Sequence, residues 1–320
     1  MKLEKRVNKK IFHFLTPVFV LILILFFIGI YLFSFAKTGQ KLIMDIVNNK
    51  PQNFEKNFAR WQKKTKNFKT IQQFNQFLPD LVGVNGSKTY FVLLQNNWEI
   101  RPSGGFMGSY AKLKFVNAGL LPIDVQDIYV PDGQLKAHVE PPWPIQTAFQ
   151  QGWWKLRDSN WEPDFPIASE QISWFFNKCG EEKNNGLIAI NLLFIKDLLK
   201  ITGRIDLLDY DQQINTDNFI LLVQKQVEKD FFPGSTQKKD FLTSFTKQLI
   251  LKLKNINKYQ SVQLIKVIKK NLYEKQILLN FENDDIQQHS ALQNWNGSLK
   301  ESIKIRKNKS LIIFMLLMLI

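Results

Sequence analysis

Arginines and carboxylates are the residues of this chain whose types and spacing could do chemistry. Arg101 stands in a glycine-rich turn, and Arg157 and Asp158 are adjacent in a stretch rich in proline and tryptophan. Guanidinium forks bind phosphate oxygens bidentately, and carboxylates hold hard cations. The pattern predicts a phosphate site with Mg²⁺ as a candidate cofactor. The candidates are Arg101, Arg157, Asp127 and Asp132 as catalytic residues and Asp158 and Asp164 as metal ligands.

Each of these residues also has a structural interpretation. Aspartates in loops often form Asx turns or cap helices, and Arg157 with Asp158 could be a structural ion pair. Gly104 and Gly105, which follow Arg101 closely, would let the backbone approach a ligand and expose its amides to a phosphate. We therefore predict that they contribute to the cofactor-binding site. The alternative is that Pro102 to Gly105 is simply a tight turn.

Several other site classes lack the residues they need. The histidines are His13, His138 and His289, and Cys179 is the single cysteine. A Ser-His-Asp or Cys-His unit and a zinc site are therefore poorly supported, and one cysteine excludes an intrachain disulfide. No phosphate loop or dinucleotide fingerprint is present.

The elements that must position these side chains alternate between strands and helices. We predict strands at about 89–95, 106–116, 123–130, 187–190 and 276–281, and a Pro- and Trp-rich loop at 131–166. We predict helices at 167–177, 192–201, 217–228, 238–255 and 261–273. This order predicts an α/β fold with a mixed β-sheet layered with helices, and its chemistry should gather on loops at one sheet edge.

The segments before this domain predict where it works. Residues 1–10 carry five basic side chains against one acidic, and residues 11–36 contain no charged residue. An uncharged span of this length can cross a bilayer, and its basic flank is expected to stay in the cytoplasm. We predict a cytoplasmic tail (1–10), a transmembrane signal anchor (11–36) and an extracytoplasmic domain at the plasma membrane.

Two further segments flank the predicted domain. Residues 37–78 are polar and basic with spaced apolar positions and a break at Pro51, which predicts a two-part helical stalk leading to the α/β domain at 79–297. Residues 298–320 are basic and then apolar, but the apolar part is too short to span a bilayer. This pattern predicts a truncated or frameshifted C-terminus.

The charge distribution argues against nucleic acid as a partner. The formal net charge is +15, yet residues 79–297 hold 24 basic and 24 acidic side chains. A nucleic-acid-binding domain would concentrate basic residues on itself. The basic excess in 37–78 suits anionic lipid headgroups or wall polymer, although a solvated helix face explains it equally well.

The string from Leu94 to Ser109 resembles the signature of a bacterial family of unknown function, number 4012 among such domains. Later blocks of the chain resemble the same family in order, over about residues 80 to 297, with Asn185 where the family usually has an aspartate. These blocks are Asp127–Tyr129, Asp132–Gly133, Pro141–Pro142, Leu156–Pro166, Gly186–Ile190, Thr202–Gly203 and Glu274–Leu279.

The order of anchor, strands, arginine-containing loop and later elements also resembles the LytR-CpsA-Psr family at the level of architecture. Members of that family transfer glycopolymers from polyprenyl pyrophosphate carriers to peptidoglycan, with arginines on the pyrophosphate and aspartates on Mg²⁺. The resemblance implies these roles for Arg101 and Arg157 by position in the topology only, and a shared fold does not establish activity.

Two functions of different classes follow for a cell-envelope protein of this kind. One is a phosphotransferase-like enzyme that moves a lipid-linked glycopolymer to the wall. The other is a noncatalytic module that binds envelope glycan, peptidoglycan or a protein through exposed tryptophans, whose rings stack on sugars. Burial in the core is the alternative for these rings. The tryptophans of this ligand platform are Trp143, Trp153, Trp154 and Trp161.

Overall fold

A computed structural model describes residues 37–228 and 237–299. Within these ranges the chain forms a mixed α/β fold with a six-stranded sheet, which confirms the predicted class. The strands are β1 (Ser87–Asn96), β2 (Phe106–Val116), β3 (Gly119–Leu120), β4 (Asp124–Asp127), β5 (Gly186–Asn191), β6 (Ile205–Leu207), β7 (Gln212–Ile214) and β8 (Ile277–Phe281).

Helices cover the sheet and connect its strands. They are α1 (37–47), α2 (Pro51–Thr65), α3 (Lys69–Leu81), α4 (Tyr129–Asp132), α5 (Trp143–Phe149), α6 (Phe165–Lys178), α7 (Leu192–Thr202), α8 (Phe219–Glu228), α9 (Gln237–Lys254), α10 (Lys258–Tyr273) and α11 (Asp284–Leu292). No helix within the described ranges is long and apolar enough to cross a membrane. The predicted anchor and nearly all of the predicted C-terminal tail lie outside those ranges.

The strand order β3-β2-β1-β5-β8 places β1 at the centre of the sheet. Strand β1 pairs antiparallel with β2 and parallel with β5, and β4 pairs with the first half of β2. The ends of β1, β4 and β5 therefore meet the start of β2. We call this end of the sheet the loop edge.

Both faces of β1 are buried. Tyr90 and Val92 belong to one apolar cluster, which includes residues of α1–α3 and α7–α10, while Phe91 and Leu93 belong to a second cluster with α6. A central strand with helices on both faces needs apolar side chains at successive positions. This explains the continuous apolar run that marks β1 in the sequence.

The segment predicted as a two-part stalk contains three helices that pack onto the domain. Turns at 48–50 and 66–68 separate them. Leu42, Trp61 and Phe74 lie in the same apolar cluster as the sheet, and Trp61 Nε1 donates a hydrogen bond to Asn75 Oδ1 at 2.9 Å. The apolar spacing of this segment thus reflects burial against the domain.

The third predicted strand is shorter than expected. Strand β4 ends at Asp127, whose Oδ1 accepts the amide of Tyr129 at 3.0 Å as the chain turns into α4. Helix α4 covers the end of this predicted strand and the first two residues of the predicted Pro- and Trp-rich loop, and helix α5 lies within that loop.

Candidate functional site

The arginine loop, residues 97–105, joins β1 to β2 at the loop edge. The Gly104 amide donates to the carbonyl of Arg101 at 3.0 Å, which closes a turn. Gly105 packs so closely that a Cβ at this position would lie 2.5 Å from the carbonyl oxygen of Asn96. The Gly104 amide is therefore engaged within the turn, and Gly105 packs against the backbone where β1 ends and the loop begins.

The Arg101 side chain lies between two aromatic rings and is largely buried. Its Nη2 donates to Asp158 Oδ1 at 3.2 Å, and its guanidinium carbon lies 4.6 Å from the ring centre of Phe149 and 5.2 Å from that of Phe106. Arg101 Nε is buried and has no hydrogen-bond partner among the described residues. One donor of this guanidinium is thus not used by the fold.

Arg157 reaches the same carboxylate from the other side. Its Nε lies 3.5 Å from Asp158 Oδ2, and its Nη1 donates to Asp132 Oδ2 at 2.6 Å. Burial raises the pKa of Asp158, the two arginines lower it, and the net pKa lies above its ordinary value. The structure therefore brings Arg101, Arg157, Asp132 and Asp158 into one buried cluster of alternating charge.

The remaining predicted metal ligand has a structural role. Asp164 Oδ1 accepts the amide of Ile167 at the start of α6, and its Oδ2 accepts the amide of Leu299 at 3.0 Å. No group of three or more His, Cys, Asp or Glu side chains in the described ranges is placed to hold a metal ion. Since the oxygens of Asp158 face arginines and those of Asp164 face amides, this donor set does not fit Mg²⁺.

The tryptophans of the predicted ligand platform differ in exposure and in their ring contacts. Trp143 is 74 % exposed and Trp153 is 49 % exposed, with Trp153 lying edge-on to His138 at 4.9 Å between ring centres. The other two pack edge-on against phenylalanines, Trp154 against Phe175 and Trp161 against Phe149. Trp143 is the candidate whose ring is most available to a sugar.

An apolar cavity of about 180 Å³ lies between the sheet and helices α7, α8 and α9. A single water needs roughly 10–15 Å³ by the same measure, so the cavity is large enough for part of a ligand. Its walls include Val92, Ile188, Ile190, Phe245 and Leu249.

The cavity reaches the loop edge at the arginine loop. Glu99 and Phe106 line it there, and Phe106 is also one of the rings against the Arg101 guanidinium. The buried polar residues Gln95, Ser109 and Asn191 line the same cavity. These five lining residues were not predicted as site residues from the sequence. Four of them, all except Asn191, lie in the string from Leu94 to Ser109.

Cys179 has the properties of a packing residue. It is buried, and burial raises the pKa of its thiol to about 11. A thiol with this pKa is neutral at neutral pH and is a weak nucleophile.

Comparison with known proteins supports the resemblance noted in the sequence. Residues 85–227 match the model of a family described as protein of unknown function (DUF4012). No curated protein matches the chain. Among solved structures, the crystal structure of B. subtilis TagV is similar at 10% identity and a TM-score of 0.36, covering 66% of this chain and 80% of that chain. A likeness of this size carries no argument about function.

Proposed function

We propose that this protein, matched over residues 85–227 by a family of unknown function, binds a polyprenyl-pyrophosphate-linked glycopolymer and transfers it to the cell wall. The observation that carries the proposal is the apolar cavity that ends at Phe106, directly beside the guanidinium of Arg101. An apolar channel next to a buried cation suits a ligand with a hydrocarbon chain and an anionic head.

The hydrocarbon chain occupies the cavity. Its walls are formed by the apolar sides of the sheet and of α7, α8 and α9, including Ile190 and Leu249. Burial of apolar surface contributes roughly 25 cal/mol per Å². The cavity thus provides affinity for the hydrocarbon chain of the ligand but does not select the glycan.

The pyrophosphate lies against the arginine loop. The unused Arg101 Nε is a donor for a phosphate oxygen, and hydrogen bonds to charged groups are the stronger ones. Arg101 and Arg157 are already balanced by Asp132 and Asp158. An arriving anion therefore competes with Asp158 for Arg101, and burial, which raises the pKa of Asp158, disfavours the charged carboxylate in this competition.

The transfer step forms one phosphoester bond and breaks the phosphoanhydride bond of the pyrophosphate. A hydroxyl of the wall polymer attacks the phosphorus that carries the glycan, the bond from this phosphorus to the lipid phosphate oxygen breaks, and lipid monophosphate leaves. Glu99 accepts the proton of the attacking hydroxyl, since it is an exposed carboxylate at the mouth of the cavity. Arg101 stabilises the charge on the phosphate oxygens.

The alternative is a noncatalytic module that binds envelope glycan or a protein. The exposed ring of Trp143 favours it, because an exposed tryptophan can stack on a sugar. This function needs neither the cavity nor the arginines.

Titration of the full-length protein in detergent micelles with a polyprenyl pyrophosphate tests the proposal. Arg101→Ala should weaken binding about ten- to a hundredfold, since a charge-assisted contact contributes roughly 1.5–3 kcal/mol. Ala111→Phe, which fills the cavity, should weaken binding of this lipid but not of inorganic pyrophosphate.

Arg204→Ala is the matched control, because Arg204 is an arginine that pairs with Asp206 on the hairpin of β6 and β7. It should bind both probes as the wild type does. Equal affinity of Arg101→Ala and wild type for the lipid, or no binding by either, would contradict the proposal.

A further inference from the structure

Two large apolar side chains of the arginine loop are exposed to solvent. Trp98 is 61 % exposed and Ile100 is 85 % exposed. They flank Glu99, whose Oε1 accepts a hydrogen bond from Asn96 Nδ2 at 3.1 Å. Large apolar side chains that are exposed next to one another are typical of interaction sites, whereas single ones are ordinary. The tip of the arginine loop is therefore a candidate contact surface.

Other exposed apolar residues lie at the same end of the sheet. Val130 follows β4 in α4, and Leu193 follows β5 in the first turn of α7. Both strands end at the loop edge. At the opposite end, where β1 and β5 begin, the connections 82–86 and 180–185 hold no exposed large apolar residue among those that the structure describes, and the second carries charged side chains such as Lys183. The loop edge is thus the more apolar end of the sheet.

The described residues also end at the loop edge. The amide of Leu299 donates to Asp164 Oδ2 at 3.0 Å. Asp164 follows Asn160, whose Nδ2 donates to the carbonyl of Gly105 in the arginine loop at 2.7 Å. Leu299 is itself exposed. The chain after residue 299 therefore starts on the side of the sheet to which the arginine loop belongs.

The composition of that following segment suits a membrane surface. Residues 300–309 carry five basic side chains against one acidic, and residues 311–320 are all apolar. Basic side chains are attracted to anionic lipid headgroups, and tryptophan favours the interface between water and hydrocarbon. A bilayer that contains anionic lipid complements both this segment and the exposed side chains of the arginine loop.

We propose that the loop edge docks on a bilayer of anionic lipid, with Trp98 and Ile100 entering the headgroup region. Glu99 limits the depth, because a carboxylate is costly in hydrocarbon, so the loop rests at the interface. The inference goes beyond the proposed function, since docking needs neither a pyrophosphate nor a transfer step. It also gives a hydrocarbon chain a path from the bilayer into the cavity, whose mouth lies at the same loop.

A fluorophore on a single new cysteine tests the docking in the full-length protein reconstituted into vesicles. Ile100→Cys places the fluorophore on the arginine loop. Lys183→Cys is the matched control, because the Lys183 side chain is 75 % exposed and lies at the opposite edge of the sheet. Native Cys179 is buried, and labelling of the wild type measures its background.

In vesicles of phosphatidylglycerol and phosphatidylcholine, a nitroxide near the lipid headgroup should quench the fluorophore at 100 severalfold more than the one at 183. Iodide in the water should do the reverse, because an interfacial loop is shielded from it. Adding Trp98→Ser to Ile100→Cys should raise the quenching by iodide. Vesicles of phosphatidylcholine alone should give less lipid quenching at 100, since the attraction of the basic residues is lost.

Equal quenching of the two positions by the lipid nitroxide would overturn the proposal. Shielding of position 100 from iodide without quenching by lipid would mean that a protein surface, such as a second copy of the chain, covers the loop, and would overturn it too. Equal lipid quenching in the two kinds of vesicle would overturn the choice of anionic lipid. The expected lipid quenching without any binding of a polyprenyl pyrophosphate would contradict the proposed function and leave the docking in place.

Discussion

Asp158 Oδ1 accepts a hydrogen bond from Arg101 Nη2 at 3.2 Å, although the two residues are 57 positions apart in the chain. This contact joins the arginine loop to the Trp-rich segment. It also leaves Asp158 between two guanidinium groups, because Arg157 Nε lies 3.5 Å from its other oxygen.

Asp158→Asn should therefore strengthen anion binding. The guanidinium groups of Arg101 and Arg157, freed from this carboxylate, should bind inorganic pyrophosphate more tightly. Calorimetric titration measures the effect. Asp206→Asn, at the exposed pair with Arg204, should leave pyrophosphate binding unchanged, and an equally small effect at Asp158 would contradict the prediction.

We expect Asp158 and Asp197 to change the unfolding free energy in opposite directions as pH rises. Burial raises the pKa of Asp158 above its ordinary value of 3.8, so its contribution to the unfolding free energy falls as pH rises through the folded pKa. Burial also acts on Asp197, but hydrogen bonds from Lys200, Lys270 and Asn271 lower its pKa below 3.8. Its contribution is present above that value and is lost as pH falls through the folded pKa.

Denaturation of wild type, Asp158→Asn and Asp197→Asn at a series of pH values measures both contributions. The unfolding free energy of the wild type should exceed that of Asp197→Asn by about 1.5–3 kcal/mol at neutral pH. This difference should shrink in acid. The difference between wild type and Asp158→Asn should change with pH in the opposite sense. The same pH slope for both differences would contradict the assignment.

Gly105→Ala should destabilise the arginine loop. The new Cβ would lie 2.5 Å from the carbonyl oxygen of Asn96 at a backbone φ of 157°, so the loop must shift, at a cost of about 1–3 kcal/mol. Thermal unfolding checks the change. Gly152→Ala meets nothing within 4 Å, and a loss of stability at Gly152 as large as that at Gly105 would contradict the steric explanation.

Substitution of Trp154 and of Trp143 shows whether each ring packs in the fold or is available to a ligand. Trp154→Ala should cost about 3 kcal/mol, because its ring packs on Phe175 and its Nε1 donates to the carbonyl of Asp158 at 3.1 Å. Trp143→Ala should leave stability within about 0.5 kcal/mol. If the noncatalytic module is the correct function, Trp143→Ala should also weaken binding of the protein to isolated cell-wall glycan, whereas the transferase proposal expects no such loss.

Protease added to intact spheroplasts tests the predicted topology. The uncharged span 11–36 and its basic flank predict that residues 37–320 lie outside the plasma membrane and are degraded. A cytoplasmic protein should survive the treatment as the control. Complete protection of the chain would contradict the predicted orientation.

Local patterns in the sequence were enough to predict the main strands of the sheet and several of its helices. The run before Arg101 is apolar at successive positions because both faces of β1 are covered, and the helix predicted at 192–201 is α7, which ends before Gly203. The hairpin of β6 and β7 was not predicted, because each strand has three residues and so short a segment has no readable period. Helix α11 was also missed, although Asn283 caps it by accepting the amide of Ile286.

The sequence by itself determined the fold class, the resemblance to a family of unknown function and the position of Arg101 in a turn between two strands, since these depend on residue type and near neighbours. The tertiary structure alone decided that Arg101 and Arg157 share Asp158, that Asp164 caps a helix and that the cavity ends beside Phe106. These relationships join residues far apart in the chain. No spacing along the sequence encodes such distances, because they arise only when the sheet brings the ends of its strands to one edge.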